Sequence, residues 1–80
     1  MDEEKLKKEL EKCEREIIQN PENAEAYLGK GNVLSALGRK EEALASYDKA
    51  IQINPKSEKA HFNRGNVLSA LGRKEEALAS

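Results

Sequence analysis

An internal repeat constrains the fold of this chain more than any other feature of its sequence. Residues 31–46 and residues 65–80 carry the same sixteen letters, GNVLSALGRKEEALAS, and the Asn-Pro pair at 20–21 recurs at 54–55 with the same offset. We call this offset, which carries Gly31 onto Gly65, the repeat period. A fixed period of roughly 20–50 residues is typical of repeat architectures, in which each unit buries its apolar face against its neighbour. We therefore expect a stack of similar units.

The first half of each period reads as one helix that ends in a tight turn. Asn23 and Ser57 occupy the same register, and each is a favourable N-cap residue before a helical pattern. Apolar and small residues then recur at spacings of three and four, as on one face of a helix. In the first copy they are Tyr27, Leu28, Gly31, Leu34 and Leu37. Gly38 follows and predicts a left-handed residue at the helix end, because glycine has no Cβ to oppose that conformation.

The second half of the period predicts another helix, from about Lys40 to Ile53. Its apolar side carries Ala43, Leu44, Tyr47, Ala50 and Ile51. Pro55 ends it, because the residue before a proline is pushed out of the helical conformation. Each period is therefore predicted to be a helix–turn–helix hairpin, and the fold class is all-α.

Residues 2–19 form a separate, heavily charged segment that we interpret as a capping helix. Its narrow apolar stripe consists of Leu6, Leu10, Cys13 and Ile17. A shift of one repeat period aligns this segment with the second helix of the repeat and places glutamates where that helix has small alanines. Charges at those registers indicate a surface that meets water, so the segment is predicted to be apolar towards the repeat and polar outward. Cys13 is interpreted as a small buried hydrophobe.

Charge and cysteine content exclude several classes of protein. Fourteen basic residues against fifteen acidic ones leave a formal charge of −1, which argues against a binder of nucleic acid or of anionic membranes. No apolar run approaches the roughly 18 residues that a membrane span needs, and the N-terminus lacks the layout of a signal peptide. The single cysteine excludes an internal disulfide and fits a reducing compartment, so we expect a cytoplasmic location if the protein is natural.

The order of large and small residues within the period resembles that of the tetratricopeptide repeat family. The first copy places Tyr27, Gly31 and Leu34 in its first helix, followed by Ala43, Tyr47, Ala50 and Pro55. The resemblance implies an α-solenoid of helical hairpins that forms the start of a right-handed superhelix. It implies a capping helix at 2–19, a first repeat at 23–55 and an incomplete second repeat at 57–80.

Three residues depart from the family pattern, and one stretch of sixteen residues is repeated without any change. His61 replaces the usual bulky aromatic residue, and we expect it to pack at the hairpin interface. Lys30 and Arg64 stand where the family usually has Leu, so we expect them at the rim, with their aliphatic stems over apolar neighbours. The identical sixteen-letter stretch includes solvated positions such as Arg39 and Lys40. It implies either a recent duplication or a designed sequence, and we interpret it as the mark of a designed or engineered member of the family.

Candidate catalytic and metal-ligating residues are few. His61 is the only histidine, and no second ligand stands at metal-binding spacing from it. Neither a Ser–His–Asp set nor a glycine-rich phosphate loop can be argued, so we predict no catalytic residues, no metal and no cofactor. The family resemblance likewise implies a non-enzymatic module for protein–protein interaction.

The resemblance also implies a concave groove, lined by the first helices, that holds a peptide. The residues at groove-facing registers are Leu28, Asn32, Ser35, Lys59, Phe62, Asn63, Asn66 and Ser69. Asn32 and Asn66 stand where family members use asparagine to bond a peptide backbone, and an amide suits that task because it both donates and accepts. The carboxylate-clamping set of chaperone adaptors is matched only in part, because Leu28 and Phe62 replace its lysines.

The sequence ends at Ser80, within the second helix of the second repeat, with no counterpart of the N-terminal cap. We expect an apolar edge there, formed by Leu68, Leu71, Ala77 and Leu78, and covered by a second copy in a homodimer or higher oligomer. The alternatives are a fragment of a longer array and a designed structural repeat with no natural ligand. A peptide-binding adaptor remains the possibility that the family resemblance implies.

Overall fold

The computed structural model describes residues 2–72, and within that range the fold is all-α. The described helices are α1 (Glu3–Gln19), α2 (Ala24–Ala36), α3 (Lys40–Ile53) and α4 (Glu58–Ala70). The predicted bounds of the helix from Lys40 to Ile53 are confirmed. The helical stretch expected after Gly72 lies outside the described residues.

Local side-chain and backbone signals set the helix ends. The side chain of Asp2 accepts a hydrogen bond from the backbone N–H of Glu4 at the start of α1. The Oδ1 atom of Asn23 accepts from the N–H of Ala26 at 3.1 Å, and Ser57 Oγ accepts from the N–H of Ala60 at 3.2 Å. Both predicted N-caps are therefore confirmed, and they satisfy backbone donors that the first turn leaves free.

Glycine at the end of α2 and of α4 adopts the left-handed conformation that the sequence predicts. Gly38 has φ +81° and Gly72 has φ +78°. Beyond Gly38, the N–H of Arg39 donates to the carbonyl of Leu34 at 2.9 Å, and the N–H of Gly38 donates to the carbonyl of Ser35 at 3.0 Å. This pair of bonds is the Schellman arrangement, which satisfies carbonyls left free by the last helical turn.

The helices pack in chain order. Helix α1 contacts α2, α2 contacts α3, and α3 contacts α4, while α2 also contacts α4. A shift of one repeat period relates α1 to α3 and α2 to α4. We call the contact between α1 and α2 the first interface and the contact between α3 and α4 the second interface.

Tyr47 is one of the largest buried side chains of the core. Its side chain is only 2% exposed, and a Cβ placed on Gly31 would lie 2.5 Å from its Cε1 atom. Ala43 and Ala50 are also buried on α3. The small residues therefore stand where the helices approach closely, as the sequence pattern predicts.

Helix α1 covers one face of α2. Leu6 and Leu10 are buried in the common core, whereas Glu9 is exposed. Cys13 is half-buried, more exposed than expected, because among the described helices α1 contacts α2 alone. A Cβ on Gly29 would lie 3.3 Å from the sulfur of Cys13. Burial raises the pKa of the Cys13 thiol above its ordinary value, and the nearby Glu16 carboxylate adds to the rise.

None of the helices within residues 2–72 is both long enough and apolar enough to cross a membrane.

Candidate functional site

A polar groove with a volume of about 320 Å³ lies between α2, α3 and α4. We call it the amide groove, because three asparagines contribute to it. Its lining consists of Asn32, Ser35, Lys40, Tyr47, Asn63, Asn66 and Val67. Helix α2 supplies the first two of these residues, α3 the next two and α4 the rest.

A hydrogen-bonded network centred on Asn32 joins the three helices of the groove. The hydroxyl of Tyr47 donates to Asn32 Oδ1 at 2.6 Å. The Nδ2 amide of Asn63 donates to the same oxygen at 2.9 Å. Burial raises the pKa of the Tyr47 phenol above its ordinary value, so the hydroxyl keeps its proton and remains a donor at neutral pH.

Lys40 joins the beginning of α3 to the end of α2. Its Nζ lies 3.4 Å from the backbone oxygen of Ser35 and 3.5 Å from Ser35 Oγ. Both distances are at the long limit for a hydrogen bond, so the ammonium is held weakly. Lys40 is also the one formally charged residue among those described as lining the groove.

The structure brings together half of the residues predicted to face a groove. Asn32, Ser35, Asn63 and Asn66 line the amide groove. Leu28 does not, since it is only 6% exposed and belongs to the core with Leu6 and Leu10. The remaining predicted residues lie exposed on α4, outside this lining: Lys59, Phe62 and Ser69.

Sequence reasoning missed Lys40, Tyr47 and Val67 as groove residues. It assigned Tyr47 to the hairpin core, which is correct for the ring but not for the hydroxyl. A usable signal was the phenol itself, because a buried tyrosine usually finds a hydrogen-bond partner for its O–H. No comparable signal marks Lys40, which looks like an ordinary residue at a helix start.

Two residues of the expected self-association edge lie within the described part of the chain, and one of them belongs to the core. Leu68 has no exposed surface, and Leu71 is half-buried and packs against the same core. Leu68 therefore offers no surface to a second copy. Ala77 and Leu78 lie outside the described residues.

Two ion pairs repeat with the period of the sequence. Lys30 Nζ lies 3.7 Å from a carboxylate oxygen of Glu14 across the first interface. Arg64 Nε lies 2.6 Å from Asp48 Oδ1 across the second. Each acid precedes its partner by the same number of positions, so the recurrence of both charges one repeat period later was a signal that could have predicted these pairs. Lys30 and Arg64 thus bridge neighbouring helices, beyond the rim position expected of them.

A second cavity of about 300 Å³ lies between α2 and α3. Its lining consists of Tyr27, Lys30, Leu34, Glu42, Ala45 and Ser46. At its edge the Arg39 guanidinium donates to both Glu42 carboxylate oxygens, at 2.6 and 2.8 Å. These bonds hold the pKa of the Glu42 carboxyl below its ordinary value.

Residues 2–72 hold no group of three or more side chains that could ligate a metal ion together. His61, singled out from the sequence, has its Nε2 3.0 Å from the backbone oxygen of Pro55. Its position ties the beginning of α4 to the preceding loop.

Comparison with known proteins gives two family matches. A family model described as TPR repeat matches residues 31–72, and one described as Tetratricopeptide repeat matches residues 12–45. The second match begins inside α1, so the end of this helix shares in the repeat pattern. A search of curated proteins found no match to the chain.

Proposed function

Because the chain belongs to the tetratricopeptide repeat family, we propose that it is a non-enzymatic interaction module that holds an extended peptide of another protein in the amide groove. Repeats of this family generally mediate protein–protein interaction. The observation that carries the proposal is the clustering of three asparagine side chains in one open groove.

Asparagine amides are suited to an extended backbone, which presents unpaired N–H and C=O groups along its length. Asn66 is exposed on α4 and faces this groove. Phe62 lies one helical turn before Asn66, on the same face of α4, and its side chain is 70% exposed. A bound peptide therefore has an apolar contact beside the polar ones.

Selection from a displayed library of random peptides, followed by fluorescence anisotropy on the selected peptides, tests this proposal. We expect Asn66→Ala to weaken binding about tenfold, because one hydrogen bond to a buried partner is lost. Gln52→Ala is the matched control, since Gln52 is an exposed amide on α3 outside the groove lining. Equal losses in the two variants would reject the groove. Failure to select any peptide would support a designed structural repeat with no ligand.

Self-association is the second candidate function, and the exposed ring of Phe62 favours it. Aromatic residues are enriched at protein interfaces, and the Phe62 side chain is 70% exposed. Sedimentation equilibrium over a concentration series measures the mass of the protein, with Phe62→Ser as the variant. A dimer that Phe62→Ser dissociates supports the candidate, whereas a folded monomer at high micromolar concentration rejects it.

A further inference from the structure

The side-chain oxygen of Asn32 is fully used inside the protein. An amide oxygen has two lone pairs, and Asn32 Oδ1 accepts one hydrogen bond from Tyr47 and one from Asn63. The expectation that Asn32 both donates to and accepts from a peptide therefore does not hold. Only its Nδ2 hydrogens remain for a ligand, so Asn32 can act towards a ligand only as a hydrogen-bond donor.

The charge of the groove also favours a ligand group that accepts hydrogen bonds. Lys40 supplies an ammonium whose described partners are two oxygens of Ser35, neither of them a carboxylate. The residues described as lining the groove include no Asp or Glu. Among the described lining residues, a ligand carboxylate would therefore meet one positive charge and amide donors, and no negative charge.

Lys40 lies at a distance from the asparagine amides along the groove. The asparagines can therefore bind the backbone of a peptide while Lys40 binds one of its side chains. Its Nζ lies at Ser35, which is three residues beyond Asn32 on α2, about one helical turn along the groove. An extended peptide whose backbone passes over Asn32 and Asn66 would reach Lys40 with a side chain.

We propose that the amide groove selects extended peptide segments that carry an acidic side chain, with the carboxylate at Lys40 and a backbone carbonyl at the Asn32 amide. Tyr47 and Asn63 are positioning residues, because they hold Asn32 in the orientation in which it donates. This inference rests on the proposed function and specifies its ligand: a Glu- or Asp-containing segment.

An array of short peptides with both ends capped tests the inference. Each peptide carries a single Glu at one position, and its partner carries Gln there. A third set carries no acidic side chain but has a free C-terminal carboxylate. We expect the best Glu peptide to bind about fivefold more tightly than its Gln partner at low salt, with a smaller ratio at higher salt.

Substitution of Lys40 should remove this preference without removing all binding. In Lys40→Gln the ratio of Glu to Gln affinity should fall to about one, because the charge is gone. Lys49→Gln, on an exposed site of the same helix outside the groove lining, should leave the ratio unchanged. Circular dichroism of both variants checks that the helices are intact.

The positioning role of Tyr47 has its own readout. Tyr47→Phe keeps the buried ring but removes the hydroxyl, so it should shift the NMR signals of the Asn32 side-chain NH₂ and weaken the Glu peptide about threefold. Asn63→Ala should have the same effects, and it tests the positioning role if Tyr47→Phe unfolds. Unchanged NH₂ signals and affinity in a folded variant would exclude the positioning role.

The outcomes separate this inference from the function on which it rests. Equal binding of Glu and Gln peptides, with sensitivity to Asn66→Ala, would overturn the acidic preference and leave peptide binding standing. Tighter binding of the free C-terminal carboxylate set would also overturn it, in favour of recognition of a chain end. Absence of binding by every peptide would reject both proposals.

Discussion

The first and second interfaces are built on the same repeat register, yet the helices of the second contribute to the amide groove. Cys13 on α1 corresponds to Tyr47 on α3, and Leu6 corresponds to Lys40. Leu6 is buried with the core, whereas Lys40 lines the amide groove. An exchange of side chain at one repeated position therefore decides whether that position is buried in the core or lines a groove.

Leu28 and Phe62 show the difference most directly. They occupy the same register of α2 and α4, but Leu28 is 6% exposed and Phe62 is 70% exposed. Leu28 shares a cluster with the apolar residues of α1, while the stretch of α3 corresponding to that part of α1 begins with Lys40, a polar residue. The exposure of a repeated position thus depends on the helix before it.

The largest expected difference between the repeat-related helices α1 and α3 concerns Tyr47 and Cys13. Tyr47→Ala should cost about 3–5 kcal/mol, because it removes a ring that is 2% exposed and leaves a cavity. Cys13→Ala should cost less than about 1 kcal/mol, because the site is half-buried and only one sulfur is lost. Urea unfolding followed by circular dichroism measures both. Similar losses would mean that the two repeat-related positions are equally well packed.

A chain of this length has a total stability of about 4–12 kcal/mol, so Tyr47→Ala can unfold it. Tyr47→Phe then supplies the milder measurement, with an expected loss of about 1 kcal/mol for the hydrogen bond to Asn32.

Two glycines of α2 sharpen the comparison at smaller scale. A methyl group at Gly31 would overlap the Tyr47 ring, whereas one at Gly29 would only press on the Cys13 sulfur at 3.3 Å. Gly31→Ala should therefore lose about 1–2 kcal/mol, the overpacking cost less the gain in helix propensity. Gly29→Ala should stay within about 0.5 kcal/mol of the parent, since the two terms offset each other. Thermal unfolding measures the stability of both variants. A larger loss for Gly29→Ala than for Gly31→Ala would contradict the prediction that Gly31 is the more closely packed glycine.

The N-caps are where the two repeats should behave alike. Asn23→Ala and Ser57→Ala each remove one side-chain acceptor from a backbone N–H at 3.1 or 3.2 Å. Each should lower the free energy of unfolding by about 1 kcal/mol. Ser69→Ala, on the exposed face of α4, is a control that should have almost no effect. A large inequality between the two caps would show that the repeats are not energetically equivalent at their starts.

The smallest expected effect is at the repeated ion pairs. Asp48→Asn should cost about 0.5–1 kcal/mol and Glu14→Gln less than about 0.3 kcal/mol, because the Asp48 contact is shorter and both pairs are partly solvated. The difference should diminish as salt is raised. Urea unfolding at two ionic strengths measures it, and a salt-independent loss would point to packing instead of charge.

Local chemistry in the sequence was enough to predict the helices. The N-cap side chains of Asn23 and Ser57, the glycine at 38 and the proline at 55 act within a few residues of their own position, so each helix end follows from its neighbours. The fixed repeat period then predicts that the hairpins are related. The repeat pattern also predicted the close approach of Gly31 to Tyr47, because a small residue opposite a large one is a packing constraint.

Contacts between helices decided the hydrogen bonding of Asn32 and the burial of repeated positions, which the repeat pattern alone does not predict. The amide of Asn63 reaches an oxygen 31 positions earlier in the chain, and the hydroxyl of Tyr47 reaches one 15 positions earlier. These bonds need the actual crossing of three helices, and they turn Asn32 from a two-way hydrogen-bonding group into a donor. The burial of Leu28, unlike that of its repeat counterpart Phe62, likewise depends on the helix that precedes it. The sequence by itself therefore determined the elements and their repetition, and tertiary packing decided which of the repeated side chains remain open to a partner.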